Sequence, residues 1–370
     1  MKIFTCGACG HTVYFDNVQC VRCGHRLGFA PDRLALLALD PAGDPSSKGR
    51  WRPAGEAGAQ DYRLCANYAE HAACNWLVPA DAAGKLCLAC RLNRTIPDLS
   101  VGRNRTLWRA LQTEKNRLVY GLLRLGLPVQ SRHDTPVGVA FDFLADPKPS
   151  FREPSAVVTG HAQGVITLDI AEADDAERER LRQQMAEPYR TILGHFRHEA
   201  GHYYWDRLVR DSRWLEPYRT RFGDEREDYQ TALKRHYAEG PPPDWPSRFV
   251  SAYASSHPWE DWAESWAHYL HIVDTLETAW EFGLRLAPRV DAPGTSTDVS
   301  FDPMAAVDFR DLIDHWLPLT SALNSLNHSM GQGDAYPFVL APPAIDKLEL
   351  VHDIVRDSAD QVAATSDRTV

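Results

Sequence analysis

The sequence predicts an α+β protein in which a small cysteine-rich module precedes a larger domain of helices and strands. Two observations lead to this prediction. All eight cysteines of the 370-residue chain lie between Cys6 and Cys90. Beyond them, segments with the helical spacing of apolar residues alternate with strand-like runs and loops rich in proline. We therefore predict a cysteine module over 1–95, a larger domain over 96–358 and a flexible polar tail over 359–370.

The composition is that of a globular protein. Hydrophobic residues make up 44% of the chain and charged residues 24%, and no apolar run approaches the roughly 20 residues that a membrane span needs. The net charge of −10 argues against a protein devoted to nucleic-acid binding, although residues 1–95 are slightly basic. The amino terminus has no apolar stretch of signal-peptide length. We therefore predict a cytoplasmic protein that binds neither membranes nor nucleic acid.

The first thirty residues predict a zinc ribbon. Two CxxC pairs would bind the metal: Cys6, Cys9, Cys20 and Cys23. Each pair places two thiolates on one side of a metal ion, and the neighbouring glycines allow the tight turns that this requires. Paired disulfides are the alternative. The CxxC spacing and the lack of a signal peptide favour zinc, because cytosolic thiols stay reduced.

A second cysteine set predicts a second zinc site: Cys65, Cys74, Cys87 and Cys90. Only the last two have CxxC spacing, and His71 is an alternative ligand. Both sites would have four protein ligands and no open position, so their zinc ions would stabilise a module too small to bury much apolar surface. Residues 40–60, which separate the two sets, are rich in Pro, Gly, Ser and Ala and predict a loop or linker.

The larger domain contains a motif typical of a metal site, His198-Glu199-Ala-Gly-His202, within a helical stretch predicted over 177–210. Two histidines four residues apart lie on one face of a helix, where both imidazoles can bind one zinc ion. Glu199 lies between them and could take a proton from a zinc-bound water and return it to a leaving amine. Because the motif is short, it could also be part of a solvated, charged helix face. A third metal ligand downstream would argue against that alternative.

A second helix, predicted over 259–284, offers two candidates for that ligand. Glu260, Glu264 and His268 form one helical stripe among tryptophans and alanines that can bury the helix. Buried carboxylates are costly unless a cation compensates them, and a structural salt bridge is the alternative. The two histidines of the HExxH motif need a third ligand, which favours a zinc site over a salt bridge. The spacing does not decide which of the two glutamates is that ligand.

Together, HExGH and the downstream ExxAE resemble the gluzincin metallopeptidases, and most of all the lethal-factor group. Taken whole, the chain resembles bacterial zinc-binding metallopeptidases with an amino-terminal zinc ribbon, over nearly its full length. This resemblance implies a zincin-like fold for the larger domain. It also implies one catalytic zinc ion besides the two structural ones, and hydrolysis of a peptide or isopeptide bond.

The resemblance further implies roles for individual residues. His198, His202 and Glu260 would bind the catalytic zinc, since the first carboxylate of the ExxAE pattern is the ligand in this family. Glu199 would be the general base and acid. Glu264 would orient a ligand histidine through its other ring nitrogen.

The resemblance also suggests a donor for the oxyanion of the tetrahedral intermediate. Tyr253 lies seven residues before Glu260, as a tyrosine does in the lethal-factor group. Three other side chains are rivals for this role: Tyr203, His257 and His268. Each of these three rivals could equally be a packed aromatic residue.

We therefore predict a zinc metallopeptidase that acts on a peptide or protein substrate. Its ribbons would recruit or cover the substrate, or bind a protein partner. The alternative is a zinc-ribbon adaptor whose zincin scaffold is catalytically silent or latent. Glu199 favours the enzyme, because a silent scaffold has no use for a general base.

Overall fold

A computed structural model of the chain describes residues 1–42, 49–56, 58–146, 159–184, 191–290, 292–305 and 307–366. The chain folds into two compact units. The first comprises Met1–Arg124 and Val129–Arg180, and the second comprises Leu125–Pro128 and Leu181–Val370. None of the helices in the described ranges is long and apolar enough to cross a membrane.

The amino-terminal part of the first unit consists of two antiparallel sheets. Strands β1 (Ile3–Thr5) and β2 (Thr12–Tyr14) form the first sheet, in which Phe4 lies opposite Val13. The second is a five-stranded meander whose strands pair in chain order: β3 (Arg26–Ala30), β4 (Ala35–Pro41), β5 (Arg50–Pro53), β6 (Tyr62–Leu64) and β7 (Leu77–Pro79). Apolar side chains of this meander form a buried cluster that includes Leu39, Tyr62 and Leu77.

The meander differs from the prediction of a loop or linker over 40–60. Strand β5 lies inside that segment and pairs with both β4 and β6. Arg52 of β5 also forms a bidentate ion pair with Asp61, the residue before β6. The composition of the segment does not predict this strand. Strand β5 forms because it pairs with its neighbours, and the strand propensities of its own residues matter less. Residues 43–48 and 57 lie outside the described ranges.

The rest of the first unit combines helices with a mixed sheet. A short helix α1 (Ala66–Ala69) precedes the long helix α2 (Gly102–Arg124). The sheet has the order β10-β11-β9-β8, with parallel pairing of β9 to β8 and to β11. Its strands are β8 (Asn93–Thr95), β9 (Ala140–Leu144), β10 (Gly160–Ala162) and β11 (Val165–Asp169). Helix α3 (Asp175–Gln184) follows this sheet.

The second unit is mainly helical. Its helices are α4 (Ile192–Leu208), α5 (Leu215–Phe222), α6 (Tyr229–Glu239), α7 (Pro258–Glu281), α8 (Phe309–Ser329) and α9 (Pro342–Ser366). Two short strands, β12 (Arg285–Leu286) and β13 (Thr297–Asp298), pair in the segment between α7 and α8. Helix α7 is the core of this unit, since its Trp262 and Trp266 are fully buried.

Helices α4 and α7 approach each other very closely at Gly201. A Cβ atom at this position would lie only 2.9 Å from Cα of Ala263 and 3.2 Å from Cβ of Trp266. The indole of Trp262 donates a 2.9 Å hydrogen bond to the carbonyl oxygen of Gly201. This close crossing requires a glycine and brings the HEAGH segment next to the glutamates of α7.

The α+β class predicted from the sequence is confirmed, with most strands in the first unit and most helices in the second. The predicted domain limits at residues 95 and 358 stay a prediction. The segment predicted as a tail, 359–370, begins inside α9, and its residues 367–370 lie outside the described ranges.

Candidate metal centres

The first metal centre is formed by two similar turns of the ribbon. Its four sulfur atoms lie within 4.8 Å of one another: those of Cys6, Cys9, Cys20 and Cys23. In each turn a glycine with positive φ donates its backbone N–H to the first cysteine, Gly10 to Cys6 at 2.8 Å and Gly24 to Cys20 at 2.9 Å. None of the four cysteines forms a disulfide. This is the arrangement that the CxxC pairs predict for a zinc ribbon.

The second centre is more deeply enclosed. Four buried cysteines form it: Cys65, Cys74, Cys87 and Cys90. Backbone N–H groups point at the sulfur atoms, as from Trp76 to Cys74 at 3.3 Å and from Cys90 to Cys87 at 3.4 Å. His71, the alternative ligand, lies outside this cluster, and its ring packs edge-on against Trp108. The four-cysteine set is therefore the one that the geometry favours.

Helix α2 presents a buried lysine near the second centre. Lys115 has a relative exposure of 0%, and its ammonium group donates to the carbonyl oxygen of Ala89 at 2.8 Å and to Asn93. Among the described residues, no acidic side chain pairs with it. Burial lowers the pKa of Lys115, and the charges of the four cysteines oppose that shift. A metal tetrathiolate, with its net negative charge, would compensate this buried cation.

The third centre lies where α4 meets α7. A nitrogen of His198, a nitrogen of His202 and a carboxylate oxygen of Glu260 all lie within 4.8 Å of one another. The two histidines are one turn apart on α4, whose first turn is capped by the side chain of Thr191. Oε2 of Glu260 lies 3.0 Å from Nε2 of His198, and Oε1 lies 3.5 Å from Nε2 of His202. The two helices therefore present the three predicted ligands to one point.

Glu264, one turn further along α7, contacts the other nitrogen of His198. Its Oε1 lies 2.8 Å from Nδ1, and its Oε2 accepts a 2.6 Å hydrogen bond from Ser251. Because an ionised carboxylate only accepts, a neutral His198 carries its proton on Nδ1 and has a lone pair on Nε2. Burial would raise the pKa of Glu264, but the hydrogen bond from His198 lowers it. Of the two glutamates, Glu260 faces the Nε2 atoms of both histidines, and Glu264 contacts Nδ1 of His198.

This arrangement suits a zinc ion. With the proton of His198 on Nδ1, its Nε2 and Oε2 of Glu260 would be two lone-pair atoms 3.0 Å apart, which repel unless a cation lies between them. Oε2 is buried and accepts no hydrogen bond from any described residue. Two imidazole nitrogens and one carboxylate oxygen, with a position left open, are the donor set of catalytic zinc sites.

Glu199 is buried beside these residues and is held by a histidine for which the sequence predicted no functional role. Nε2 of His195, one turn earlier on α4, lies 3.2 Å from Oε1 of Glu199. Burial would raise the pKa of Glu199, but the hydrogen bond and charge of His195, with the charges of His198 and His202, hold it at about 2. The i, i+4 spacing of His195 and Glu199 was the sequence signal for this pair.

Tyr253, one of the four candidates for an oxyanion donor, packs beside His198. It begins a 3₁₀ turn over Tyr253–Ser256, is half-buried, and has its ring centroid 5.9 Å from that of His198. Two rivals have structural contacts instead. His257 caps α7 by accepting the N–H of Trp259 at 3.1 Å, and His268 is bonded to Tyr336 at 2.6 Å. Tyr203 is buried and packs against Tyr204.

A second tyrosine at this centre, Tyr229, was also missed. It is the first residue of α6, and its hydroxyl donates a 2.6 Å hydrogen bond to Oε1 of Glu260. No motif or spacing in the sequence connects Tyr229 with a residue on a different helix. This contact is set by tertiary packing alone.

The family described as "Putative zinc-binding metallo-peptidase" matches residues 104–354 of this sequence, more than half of the chain. The chain belongs to this family. A family described as "zinc-ribbon domain" matches residues 3–101. The prediction of a cysteine-rich zinc-ribbon region followed by a metallopeptidase-like domain is thereby confirmed.

The family includes close relatives in mycobacteria. Proteins titled "Uncharacterized protein" from Mycobacterium bovis and from two strains of Mycobacterium tuberculosis are each 43% identical to this chain over 373 residues. The alignments cover 100% of this chain and 100% of each relative. No solved structure matches the chain. Family membership and the clusters of candidate ligands thus support zinc binding.

Proposed function

We propose that this chain is a zinc-dependent peptidase that hydrolyses a peptide or isopeptide bond in a peptide or protein substrate. The observation that carries this proposal is the position of Glu260, whose two oxygens lie 3.0 and 3.5 Å from the Nε2 atoms of His198 and His202. A carboxylate in that place completes a three-ligand set and leaves a position open for the reaction. We further propose that this is the catalytic site and that the two cysteine centres hold structural zinc.

Glu199 is the general base and acid in this proposal. Zinc, when bound, would act as a Lewis acid that makes water more acidic and polarises a carbonyl group. Oε1 of Glu199 is held by His195, while Oε2 is buried and has no hydrogen-bond partner among the described residues. Oε2 is therefore the atom that takes a proton from the attacking water and later passes it to the leaving amine.

Tyr253 would donate a hydrogen bond to the oxyanion that develops on the substrate. Burial, together with the negative charge of Glu260, raises its pKa well above the usual range. The phenol therefore stays protonated at neutral pH and keeps a proton to donate. Its ring lies beside that of His198, with the two ring centroids 5.9 Å apart, where it can reach a substrate at the open position.

The proposal is tested with a library of peptides derived from a bacterial proteome, with cleavage sites identified by mass spectrometry. We expect the wild type to generate new termini that the Glu199→Gln variant does not, while both proteins contain equal zinc. Cleavage by Glu199→Gln at the wild-type rate would reject Glu199 as the base.

A zinc-ribbon adaptor with a silent or latent scaffold is the second candidate. It is favoured by apolar side chains that the first ribbon exposes, of which Val21 is 87% exposed. In the same library, a wild type that binds zinc at the third centre but cleaves nothing would favour this candidate. A partner protein bound through the ribbons is compatible with both candidates. The cytoplasm remains the location we propose, because the cysteines form no disulfide.

A further inference from the structure

The carboxylate of Glu260 has two oxygens in different surroundings. Oε1 accepts the hydrogen bond from Tyr229 at 2.6 Å, whereas Oε2 accepts none from the described residues and faces Nε2 of His198. Glu260 itself is only 1% exposed, so water cannot readily replace either contact. The difference between the two oxygens is therefore imposed by the protein.

The position of Tyr229 is fixed by its surroundings. Asp228 caps α6 by accepting the N–H of Thr231 at 2.7 Å. This cap fixes the backbone at the start of the helix, and with it the direction of the side chain of Tyr229, the first helical residue. The ring of Tyr229 packs edge-on against His257, with centroids 5.2 Å apart, and against Trp259 at 5.9 Å. A phenol confined in this way can point its hydroxyl at Glu260 without losing much conformational freedom on ligand binding.

We propose that Tyr229 is a positioning residue for the third metal centre, which engages Oε1 of Glu260 and leaves Oε2 as the single oxygen offered to zinc. The inference rests on the proposed function in one respect, that the third centre binds zinc. A carboxylate limited to one oxygen leaves more of the coordination sphere for water and substrate.

The neighbouring Tyr253 provides a contrast. Its ring also lies at this centre, but its proposed partner is the substrate and not a ligand side chain. Removal of the two hydroxyl groups should therefore have different effects. Loss of the Tyr229 hydroxyl should change the metal centre itself, and loss of the Tyr253 hydroxyl should change turnover only.

The experiment measures cobalt binding at the third centre of the full-length protein. The third centre is emptied with a mild chelator and titrated with Co²⁺. The visible spectrum of bound Co²⁺ reports the number of its ligands. Strong thiolate-to-cobalt bands would reveal exchange at the cysteine centres. The variants are Tyr229→Phe, Tyr253→Phe and Tyr237→Phe, the last being a 61% exposed tyrosine on the same helix. His202→Ala serves as the blank.

We expect Tyr229→Phe to weaken Co²⁺ and Zn²⁺ binding by about tenfold to a hundredfold, as loss of a group that orients a ligand typically does. We also expect its Co²⁺ spectrum to shift towards that of a site with one more ligand oxygen. Tyr253→Phe and Tyr237→Phe should match the wild type in both respects. The circular dichroism spectra of the wild type and the three tyrosine variants, all metal-free, should be the same at the assay temperature, which separates positioning from a general loss of structure.

Three outcomes would overturn the inference. If Tyr229→Phe binds Co²⁺ with wild-type affinity and spectrum, Tyr229 does not position Glu260. If Tyr229→Phe lowers turnover but leaves both metal properties unchanged, the hydroxyl acts on the substrate instead. If wild type and His202→Ala bind equally little Co²⁺, the third centre is not a metal site, and the proposed function fails together with the inference.

Discussion

Glu264 and His198 form a pair in which the carboxylate lies 2.8 Å from the imidazole nitrogen that does not face Glu260. Ser251 holds the second oxygen of that carboxylate at 2.6 Å and also accepts the N–H of Ala254, at 3.1 Å. The 3₁₀ turn that carries Tyr253 is thereby tied to the residue that orients His198. The proposed metal ligand His198 and the proposed oxyanion donor Tyr253 are thus both connected to Ser251.

We expect Glu264→Gln to weaken zinc binding at the third centre by about tenfold to a hundredfold. An amide accepts a weaker hydrogen bond from Nδ1 than a carboxylate does, and it can also turn its NH₂ group towards His198. Chelator competition monitored with a zinc indicator measures the effect. Glu239→Gln, an exposed change on α6, is the control. Equal zinc affinity in the wild type and Glu264→Gln would show that the pair has no role in orienting His198.

Elemental analysis should give three zinc ions per wild-type chain and two for each of His202→Ala and Glu260→Ala. Each substitution removes one of the three ligands whose donor atoms cluster at the third centre. Glu239→Ala should retain three. A count of two in all four proteins would confine the metal to the cysteine centres.

Loss of the hydroxyl of Tyr253 should reduce turnover of a cleaved peptide by about a hundredfold, the usual effect of removing one oxyanion donor. Zinc content should not change, because Tyr253 is not among the ligands. Tyr237→Phe should keep wild-type turnover. Unchanged turnover in Tyr253→Phe would remove this residue from the mechanism.

Lys115→Met should make the second cysteine centre release its zinc at higher pH. Zinc holds the cysteines as thiolates and is lost when acid protonates them. A buried ammonium stabilises the thiolates and moves this release to lower pH, so its removal should raise the midpoint by about one pH unit.

The release is followed with a zinc indicator in a His202→Ala background, in which the two cysteine centres hold the metal. The first cysteine centre is an internal reference, and Lys85→Met, an exposed change in the same segment as the second centre, is the matched control. If the pH midpoint of zinc release from the second centre is the same in Lys115→Met and the wild type, the ammonium group does not compensate the negative charge of that centre.

The parts of the centres that could be predicted are those fixed by local periodicity. The turn of a CxxC pair and the i, i+4 spacing of a helix bring Cys6 near Cys9, and His198 near His202, whatever the rest of the chain does. The choice of Glu260 came from family resemblance, because helical spacing alone treats Glu260 and Glu264 alike.

The parts that could not be predicted depend on how distant elements pack. Lys115 lies on a helix beyond the cysteine-rich segment yet points its ammonium group at Ala89 and Asn93. Tyr229 reaches Glu260 from a separate helix. Strand β5 exists because β4 and β6 lie on either side of it. In each case the sequence supplies the residue, and the tertiary fold supplies its partner.

Gly201 affects how such proteins can be recognised in genomes. The fourth residue of the HExxH motif is written as variable, yet here a single methyl group at that position would collide with the backbone of Ala263. A genome search that requires HExGH together with a downstream ExxAE would therefore select chains whose two helices can cross this closely, as well as chains that have the candidate zinc ligands. Chains with a bulky residue at that position would need a wider crossing, and their third ligand would have to come from a different place.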